Sequence, residues 1–207
     1  MRDKNKKIKK RYNRISRVYD FFDKPMEAMV KKWRKALVEK IEGGKLLEVG
    51  VGTGKSLDYY PETLDITGID FSTSMLKKAR KKAGGKSNIH LMEMDAQAMT
   101  FEDNTFDTVI TSCVFCSVPD PVQGLKEIRR VTKNGGKIIM LEHMRSEGKV
   151  MGKIMDITNF IPLHIWGANI NRRTLKNLEK AGFNEEDIEY QDIWSDIVKF
   201  IEIRNNK

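Results

Sequence analysis

The residues best suited to chemistry lie in a glycine-rich stretch, residues 46–54, which reads Leu-Leu-Glu-Val-Gly-Val-Gly-Thr-Gly. An apolar run that ends in an acidic residue and then breaks into alternating glycines is typical of a buried strand followed by a tight, ligand-binding loop. A second strand-like run ends at Asp70, roughly 20 residues further on. A carboxylate there can accept hydrogen bonds from both hydroxyls of a ribose, so the two segments predict a site for a nucleoside-bearing cofactor.

The spacing of Gly50, Gly52 and Gly54 discriminates between three kinds of cofactor. A dinucleotide site needs G-x-G-x-x-G, whose last interval is longer than here, and a phosphate-binding P-loop would need its first glycine at Val49. The form E-x-G-x-G-x-G resembles motif I of the class I S-adenosylmethionine (SAM) methyltransferases. The acidic Glu48 suits the positive amino end of SAM better than it suits a phosphate, so we expect SAM, with NAD and nucleoside triphosphates as the alternatives.

The resemblance covers most of the chain. Met94-Asp95-Ala96-Gln97 matches the family segment whose Asp binds the adenine amino group, and Phe106–Ser112 matches the fourth strand, whose end faces the methyl group. The resemblance implies that SAM lies across residues 48–54, with its ribose on Asp70 and its adenine between Phe71 and Asp95-Ala96. The cofactor-binding residues that it predicts are Glu48, Gly50, Gly52, Gly54, Asp70, Phe71, Ser72, Met75, Asp95, Ala96 and Ser112.

The alternation of strand-like and helix-like segments predicts an α/β protein. We expect a Rossmann-like class I methyltransferase fold, with a mostly parallel seven-stranded sheet, helices on both faces and an N-terminal helical extension. The strands are predicted at 45–49, 64–69, 89–93, 106–112, 136–141, 187–191 and 197–203. The helices that we predict most specifically are 5–20, 25–42, 74–83 and 171–181, with Pro25 separating the first two.

Length and composition set wider limits on the protein. A chain of 207 residues is long enough for one three-layer domain, so we expect residues 1–207 to form a single domain. The two cysteines suggest no disulfide framework, the charged start lacks the apolar segment of a signal peptide, and no apolar run is long enough to span a membrane. We therefore expect a cytoplasmic location and no metal site, and the oligomeric state stays open.

The basic charge is concentrated at the N-terminus. Residues 1–40 hold 15 Lys and Arg against 5 Asp and Glu, whereas the rest of the chain holds 23 against 24. Within this part, apolar residues recur at helical spacing, which predicts a basic amphipathic lid over residues 1–42. Such a lid could pack over the SAM site with its lysines in solvent, or make peripheral contact with an anionic membrane, or bind a nucleic acid, which is the least favoured of the three.

The methyl acceptor is less well determined. The loop after the fourth strand, Cys113–Cys116, has neither the [DN]-P-P-[YF] motif of exocyclic amine methylation nor the Pro-Cys of cytosine C5 methylation. Its Cys-x-x-Cys spacing is interpreted as core packing. A narrower resemblance rests on the glycine-rich stretch together with Val18-Tyr19-Asp20, residues 116–121 and Leu141-Glu142-His143. In these segments the chain resembles soluble bacterial phosphatidylethanolamine N-methyltransferases, and it is similar to quinone C-methyltransferases and alkyl-thiol S-methyltransferases.

That resemblance implies a small hydrophobic or lipid-like acceptor. A phospholipid amine is favoured because the basic N-terminal helix would dock on anionic lipid; quinone or thiol methylation is the alternative within this set. RNA methylation is the alternative of another class, and a SAM-binding sensor without catalysis is a third. Residues 146–170 form an apolar, methionine-containing insertion that could be either an acceptor wall or ordinary core.

Candidate catalytic residues follow from the needs of the reaction. SAM already carries an activated methyl group, so the protein chiefly holds the acceptor and removes water, and a base helps when the acceptor arrives protonated. His143, beyond the fifth strand, is the first candidate for that base, and Tyr19 is the second, as a phenol that could line the methyl site. His164 and Arg172 are weaker candidates, Arg172 as a phosphate partner, and His90 is interpreted as structural.

Overall fold

The protein is described here from a computed structural model, which covers Asn13, residues 24–165 and residues 167–207. Seven strands form one sheet. In chain order they are β1 Lys45–Val49, β2 Asp65–Asp70, β3 Ile89–Glu93, β4 Phe106–Ser112, β5 Thr132–His143, β6 Ile188–Trp194 and β7 Val198–Asn205. Their spatial order is β3-β2-β1-β4-β5-β7-β6, and only β7 runs antiparallel to its neighbours. The mostly parallel seven-stranded sheet predicted from the sequence is confirmed.

Six α-helices connect or flank these strands within the described residues. They are α1 Lys24–Glu39, α2 Thr73–Ala83, α3 Pro121–Val131, α4 Lys149–Thr158, α5 Phe160–Ile165 and α6 Thr174–Lys180, with a short 3-10 turn at Glu185–Asp187. None of the described helices is long and apolar enough to cross a membrane.

Both faces of the sheet are covered, as the period-2 alternation of its strands requires. In β1, Leu46 belongs to a buried cluster shared with α1, α2 and α4, whereas the next residue, Leu47, belongs to a second cluster shared with α3 and α6. Both leucines are fully buried. This placement leaves the two ends of the strands as the part of the sheet where loops can form a ligand site.

Several predicted boundaries are corrected by the structure. The helix expected over 25–42 ends at Glu39, and the strand expected over 187–191 extends to Trp194. The helix expected from Asn171 starts only at Thr174, because the carbonyl of Arg172 accepts a hydrogen bond from the Arg145 amide at 2.8 Å and is lost to the helix. The strand expected at 136–141 extends over Thr132–His143, with an irregular register against β4 near its start. Pro25 lies in the first turn of α1, where proline is tolerated; the helix predicted at 5–20 lies outside the described residues except for Asn13.

The loop after β1 places its glycines in two different environments. Gly52 has φ +55°, and an added Cβ would meet nothing closer than a backbone oxygen at 3.9 Å. Gly54 has φ +78°, and an added Cβ would lie 2.7 Å from Leu57 Cδ1 and 3.1 Å from Ala79 Cα. Both positions need a left-handed backbone, but only Gly54 is also needed for the close approach between loop and α2.

This difference predicts unequal losses of stability for two alanine substitutions. Gly52→Ala should lower the free energy of unfolding by about 1–2 kcal/mol, the cost of a left-handed conformation for a residue with a Cβ. Gly54→Ala should lose roughly a further 1–3 kcal/mol, because the overlap involves the backbone of α2. Urea unfolding of both variants measures this, and equal losses would contradict the assigned packing.

Candidate active site

The carboxyl ends of β1, β2 and β4 meet at one edge of the sheet. Val49 is in register with Ile69 on one side and with Thr111 on the other, so the residues that follow the three strands lie side by side. A cleft at this edge holds about 780 Å³ of empty space, part of which is open solvent. Its lining residues are Val49, Gly50, Gly52, Ile69, Asp70, Phe71, Met75, Met94, Asp95, Ala96, Gln97, Ser112, Cys113, Val114, Ser117, Val118 and Pro119.

Asp70 organises the centre of this cavity. One carboxylate oxygen accepts a hydrogen bond from the Gly52 amide at 2.9 Å, and the other accepts from the Ser72 amide at 2.8 Å. The glycine loop is also held by the Ile69 carbonyl, which accepts from the Gly50 amide at 2.8 Å. Burial raises the pKa of Asp70 to about 6, and the two amide hydrogen bonds oppose that shift. At neutral pH the side chain is therefore an ionised acceptor facing a cavity.

Ser72 supports the start of α2 and does not line the cavity. Its side chain caps α2 by accepting a hydrogen bond from the Met75 amide at 3.3 Å, and its hydroxyl donates to Asn13 Oδ1 at 2.7 Å. Asn13 Oδ1 also accepts from the Ser74 amide at 3.3 Å. Ser72 is fully buried and does not line the cavity, so its side chain holds neighbouring elements in place.

A second acidic group lies at the end of β3. Asp95 Oδ1 accepts hydrogen bonds from the backbone amide and the side-chain amide of Gln97, at 2.9 and 2.8 Å. Gln97 Oε1 in turn accepts from the Asp120 amide, the residue before α3. Asp95 and Gln97 both line the cavity, so this network fixes the wall that lies beyond Ala96.

Glu48 is placed beneath the cavity and is not among the lining residues. Its Oε2 accepts a hydrogen bond from the Tyr60 hydroxyl at 2.9 Å, and its side chain is buried. Burial raises the pKa of Glu48, while Tyr60, Ser56 and the nearby charge of Arg34 lower it. In this arrangement Glu48 joins the end of β1 to Tyr60, and its predicted contact with the amino end of SAM stays a prediction.

The loop after β4 forms the opposite wall and is held by another buried carboxylate. Glu142 accepts hydrogen bonds from the Thr111 hydroxyl at 2.7 Å and from the amides of Val114 and Phe115, both at 3.2 Å. Burial raises the pKa of Glu142 to about 7. Because these three donors all lie at the end of β4 or in its loop, Glu142 sets the position of the wall that carries Val114.

The two cysteines flank this turn. Cys113 lines the cavity with φ +55°, and the Cys116 thiol contacts the Cys113 carbonyl at 3.4 Å. Both are free thiols, and burial raises the pKa of Cys116, so it is held as a protonated group. Their packing in the loop fits the structural interpretation of the Cys-x-x-Cys spacing.

The structure brings most of the predicted cofactor residues together. Eight of them line the cavity: Gly50, Gly52, Asp70, Phe71, Met75, Asp95, Ala96 and Ser112. Glu48, Gly54 and Ser72 lie in the shell around it. Gln97 and Ser117 also line the cavity. Both lie within segments that carry the family resemblance, 94–97 and 116–121, but neither was predicted to bind the cofactor.

Arg34 is a further residue that sequence reasoning missed. This arginine of α1 is 8% exposed, and its Nη1 donates hydrogen bonds to Ser112 Oγ at 2.9 Å and to Ser56 Oγ at 3.3 Å. It therefore joins α1 to the cavity wall. The pattern that could have indicated Arg34 is its position between Trp33 and Leu37, which lie on the side of α1 that packs on the sheet.

The candidate catalytic side chains that the structure describes lie outside the cavity lining. His143 is half-buried at the end of β5, and burial lowers its pKa, so its imidazole is neutral at pH 7. His164 is exposed on α5, with Nδ1 2.7 Å from the Phe160 carbonyl, and Arg172 donates to the Val118 carbonyl at 2.7 Å, next to the cavity. His90 lies on β3 near Asp65. Tyr19 lies outside the described residues.

Comparison with known proteins adds a family to this geometry. Residues 47–140 match the family described as a methyltransferase domain. The chain is 41% identical over 130 residues to the phosphatidylethanolamine N-methyltransferase of Cereibacter sphaeroides, covering 61% of this chain and 63% of that protein. It is 34% identical over 142 residues to the demethylmenaquinone methyltransferase of Staphylococcus aureus, covering 65% and 56%. The chain therefore spans about three fifths of the length of these relatives.

A solved structure from Thermotoga maritima, described as a SAM-dependent methyltransferase and possible histamine N-methyltransferase, superposes with a TM-score of 0.71. The two sequences are 19% identical, with 96% of this chain and all of that chain covered, so the likeness concerns the fold. Both the sheet order and the glycine loop at its edge agree with the predicted family. Residues 47–140 therefore match a methyltransferase domain, and the chain has a Rossmann-like fold that it shares with a solved SAM-dependent methyltransferase.

Proposed function

We propose that this protein transfers a methyl group from SAM to a small hydrophobic or lipid-like acceptor, with a phospholipid amine of the phosphatidylethanolamine type as the favoured substrate. The observation that carries the proposal is the 41% identity with a protein of that name over 130 residues. This matched portion amounts to 61% of the chain, so it exceeds the 47–140 segment that defines the methyltransferase domain.

The side chains and backbone that line the cavity fit the chemistry of SAM. We assign the ionised carboxylate of Asp70 to the ribose, and Phe71, Asp95 and Ala96, which line the same cavity, to the adenine. Gly50 and Gly52 allow the backbone to approach the ligand. When bound, SAM supplies a methyl group on a positively charged sulfur.

The remaining work of this chain is to hold the acceptor and exclude water. Val114, Val118 and Pro119 give the cavity an apolar wall on the side of the β4 loop, which suits a hydrophobic acceptor. The N-terminal segment is proposed as a lid: Asn13 contacts Ser72, the residue after Phe71. Its basic residues are proposed to make the peripheral contact with anionic membrane, and nucleic acid is not a favoured partner.

His143 is proposed as the group that takes a proton from an ammonium acceptor. Because burial keeps its imidazole neutral at pH 7, it is in the protonation state that a base requires. It lies two residues beyond Leu141, whose carbonyl accepts from the Cys113 amide of the cavity wall. Tyr19 is proposed as a second group that lines the methyl site from the lid.

Methylation of a quinone ring carbon is the second candidate function. It is favoured by the 34% identity with the demethylmenaquinone methyltransferase over 142 residues. A ring enol must lose its proton for carbon methylation, so a positioned base is indispensable in that reaction at neutral pH and loss of His143 should abolish turnover there.

Methyl-labelled SAM incubated with the protein and a total cell extract tests the acceptor class. We expect the label in the organic phase after partition, and chromatography of that phase would distinguish phospholipid from quinone. Heat-denatured protein is the control. Label that stays in the aqueous phase and is lost on ribonuclease treatment would overturn the lipid proposal and support an RNA acceptor.

The raised pKa of Asp70 predicts a pH dependence of cofactor binding. Below about pH 6 the carboxyl becomes protonated and loses its capacity as a double acceptor, so the Kd for S-adenosylhomocysteine should rise by up to about tenfold between pH 6 and pH 5. Calorimetric titration between pH 5 and pH 8 measures this.

Asp70→Asn serves as the matched variant in that titration. It should bind at least about tenfold more weakly at pH 7.5, with the pH dependence largely removed, because the amide no longer offers two ionised acceptors. A wild-type affinity that is constant from pH 5 to pH 8 would contradict the role assigned to Asp70.

The role of His143 is tested by His143→Gln with an amine acceptor. We expect kcat/KM to fall roughly a hundredfold at pH 7 and far less at pH 9, where more of the amine is already unprotonated. His90→Gln, an exposed histidine on β3, is the control and should retain full activity at both pH values. An equal loss at both pH values would indicate a structural role for His143.

A further inference from the structure

Exposed apolar side chains are concentrated in one segment of the described structure. Of its ten large hydrophobic residues that are prominently exposed, seven lie on α4 and α5. They are Val150, Met151, Ile154, Ile157, Phe160, Ile161 and Ile165, and they are called the α4–α5 face below. Ile157 is 72% exposed and Phe160 is 60% exposed. A patch of exposed apolar side chains of this kind is typical of a surface that contacts a membrane or another protein.

The α4 helix has the pattern of a helix that lies along an interface. Val150, Ile154 and Ile157 follow each other at intervals of four and three, which places them on one side. Met155 points the other way, into the buried cluster that includes Leu37 of α1. The helix is therefore anchored to the domain by one side while its opposite apolar side remains uncovered by the described residues.

The charges on this pair of helices are unbalanced. Lys149 and Lys153 are exposed, one turn apart, and have no ion-pair partner among the residues that the structure describes. The acidic residue of α4, Asp156, is paired with Arg145 at 2.9 Å and also accepts from Asn171. The net charge presented beside the apolar residues is therefore positive.

An apolar face bordered by lysines fits an anionic lipid surface better than a protein surface. Lysine is depleted at protein–protein interfaces, whereas it is favoured on helices that lie in the headgroup region of a bilayer. Helix α1, in the same buried cluster, adds exposed lysines at positions 31, 32 and 35. Of these, Lys35 is paired with Glu39 at 3.9 Å.

Helices α4 and α5 are also linked by hydrogen bonds to the loop that forms the cavity wall. Asn159, between the two helices, accepts a hydrogen bond from the Ile170 amide at 2.8 Å and contacts Asn169. The Asn169 amide donates to the Cys116 carbonyl at 2.8 Å, and Ser117, the next residue, lines the cavity. A short chain of contacts thus connects this face to the wall of the site.

We propose that the α4–α5 face docks on the surface of an anionic phospholipid bilayer and holds the cavity entrance against it. The proposal adds a second contact to the basic N-terminal segment, and it explains why apolar side chains of an insertion remain exposed. It extends the proposed function by stating where a lipid-like acceptor would be met, but docking itself requires neither cofactor nor methyl transfer.

Co-sedimentation of the full chain with vesicles, without SAM, tests docking separately from catalysis. The wild-type protein should bind phosphatidylglycerol vesicles at least tenfold more tightly than phosphatidylcholine vesicles. Ile157→Asp combined with Phe160→Asp should weaken binding to phosphatidylglycerol by at least tenfold, because both side chains would leave the lipid phase. Met92→Asp combined with Tyr190→Asp changes two exposed apolar residues elsewhere and should leave binding unchanged.

Two double lysine variants with the same spacing test the contribution of charge to vesicle binding. Lys149→Glu with Lys153→Glu should weaken binding by at least tenfold, since each lysine near an anionic surface contributes about fivefold. Lys176→Glu with Lys180→Glu, which has the same spacing on α6, should have a much smaller effect that high salt abolishes.

Three outcomes would overturn the proposal. Unchanged vesicle binding in both α4–α5 variants would leave the N-terminal segment as the sole lipid contact. A lower Tm in the aspartate variant with unchanged vesicle binding would show that another part of the chain covers the face. A concentration-dependent dimer that the aspartate variant abolishes, together with absent vesicle binding, would assign the face to a second copy of the chain.

Discussion

The buried carboxylate of Asp70 is the interaction on which the site depends. It accepts from the amides of Gly52 and Ser72, and so ties the loop after β1 to the start of α2. Burying a charge is costly, and the raised pKa of Asp70 records that cost. The parallel register of β1 with β2 brings these groups together, because Val49 and Ile69 end at the same level. The geometry of the glycine loop therefore follows from sheet register and one carboxylate.

On the opposite wall of the cavity, the buried side chain of Glu142 likewise ties a loop to a strand. Glu142 gathers the Thr111 hydroxyl and two loop amides, so the chain after β4 turns sharply and presents Cys113 and Val114 to the cavity. Arg34 then joins this wall to α1 through Ser112. The cavity is thus formed by polar contacts between elements that are distant in sequence, over a sheet whose two faces are filled by apolar side chains.

The sequence predicted the sheet and most of the cavity because those signals are local. The alternating glycines, the carboxylate at the end of β2 and the Asp95-Ala96 pair each mark the end of a strand, and parallel strands bring such ends to one edge. Glu142 and Arg34 were missed as supports of the site because their partners lie about 30 to 80 residues away. The placement of Glu48 against Tyr60 likewise depends on packing that no local pattern reveals.

The central claim is that the edge of the sheet beside Asp70 holds SAM. A crystal structure of the full chain with S-adenosylhomocysteine tests this most directly. The account predicts the ribose hydroxyls within hydrogen-bond distance of Asp70, with the adenine between Phe71 and Ala96 near Asp95. A ligand bound elsewhere, or a ribose turned away from the Asp70 carboxylate, would contradict it.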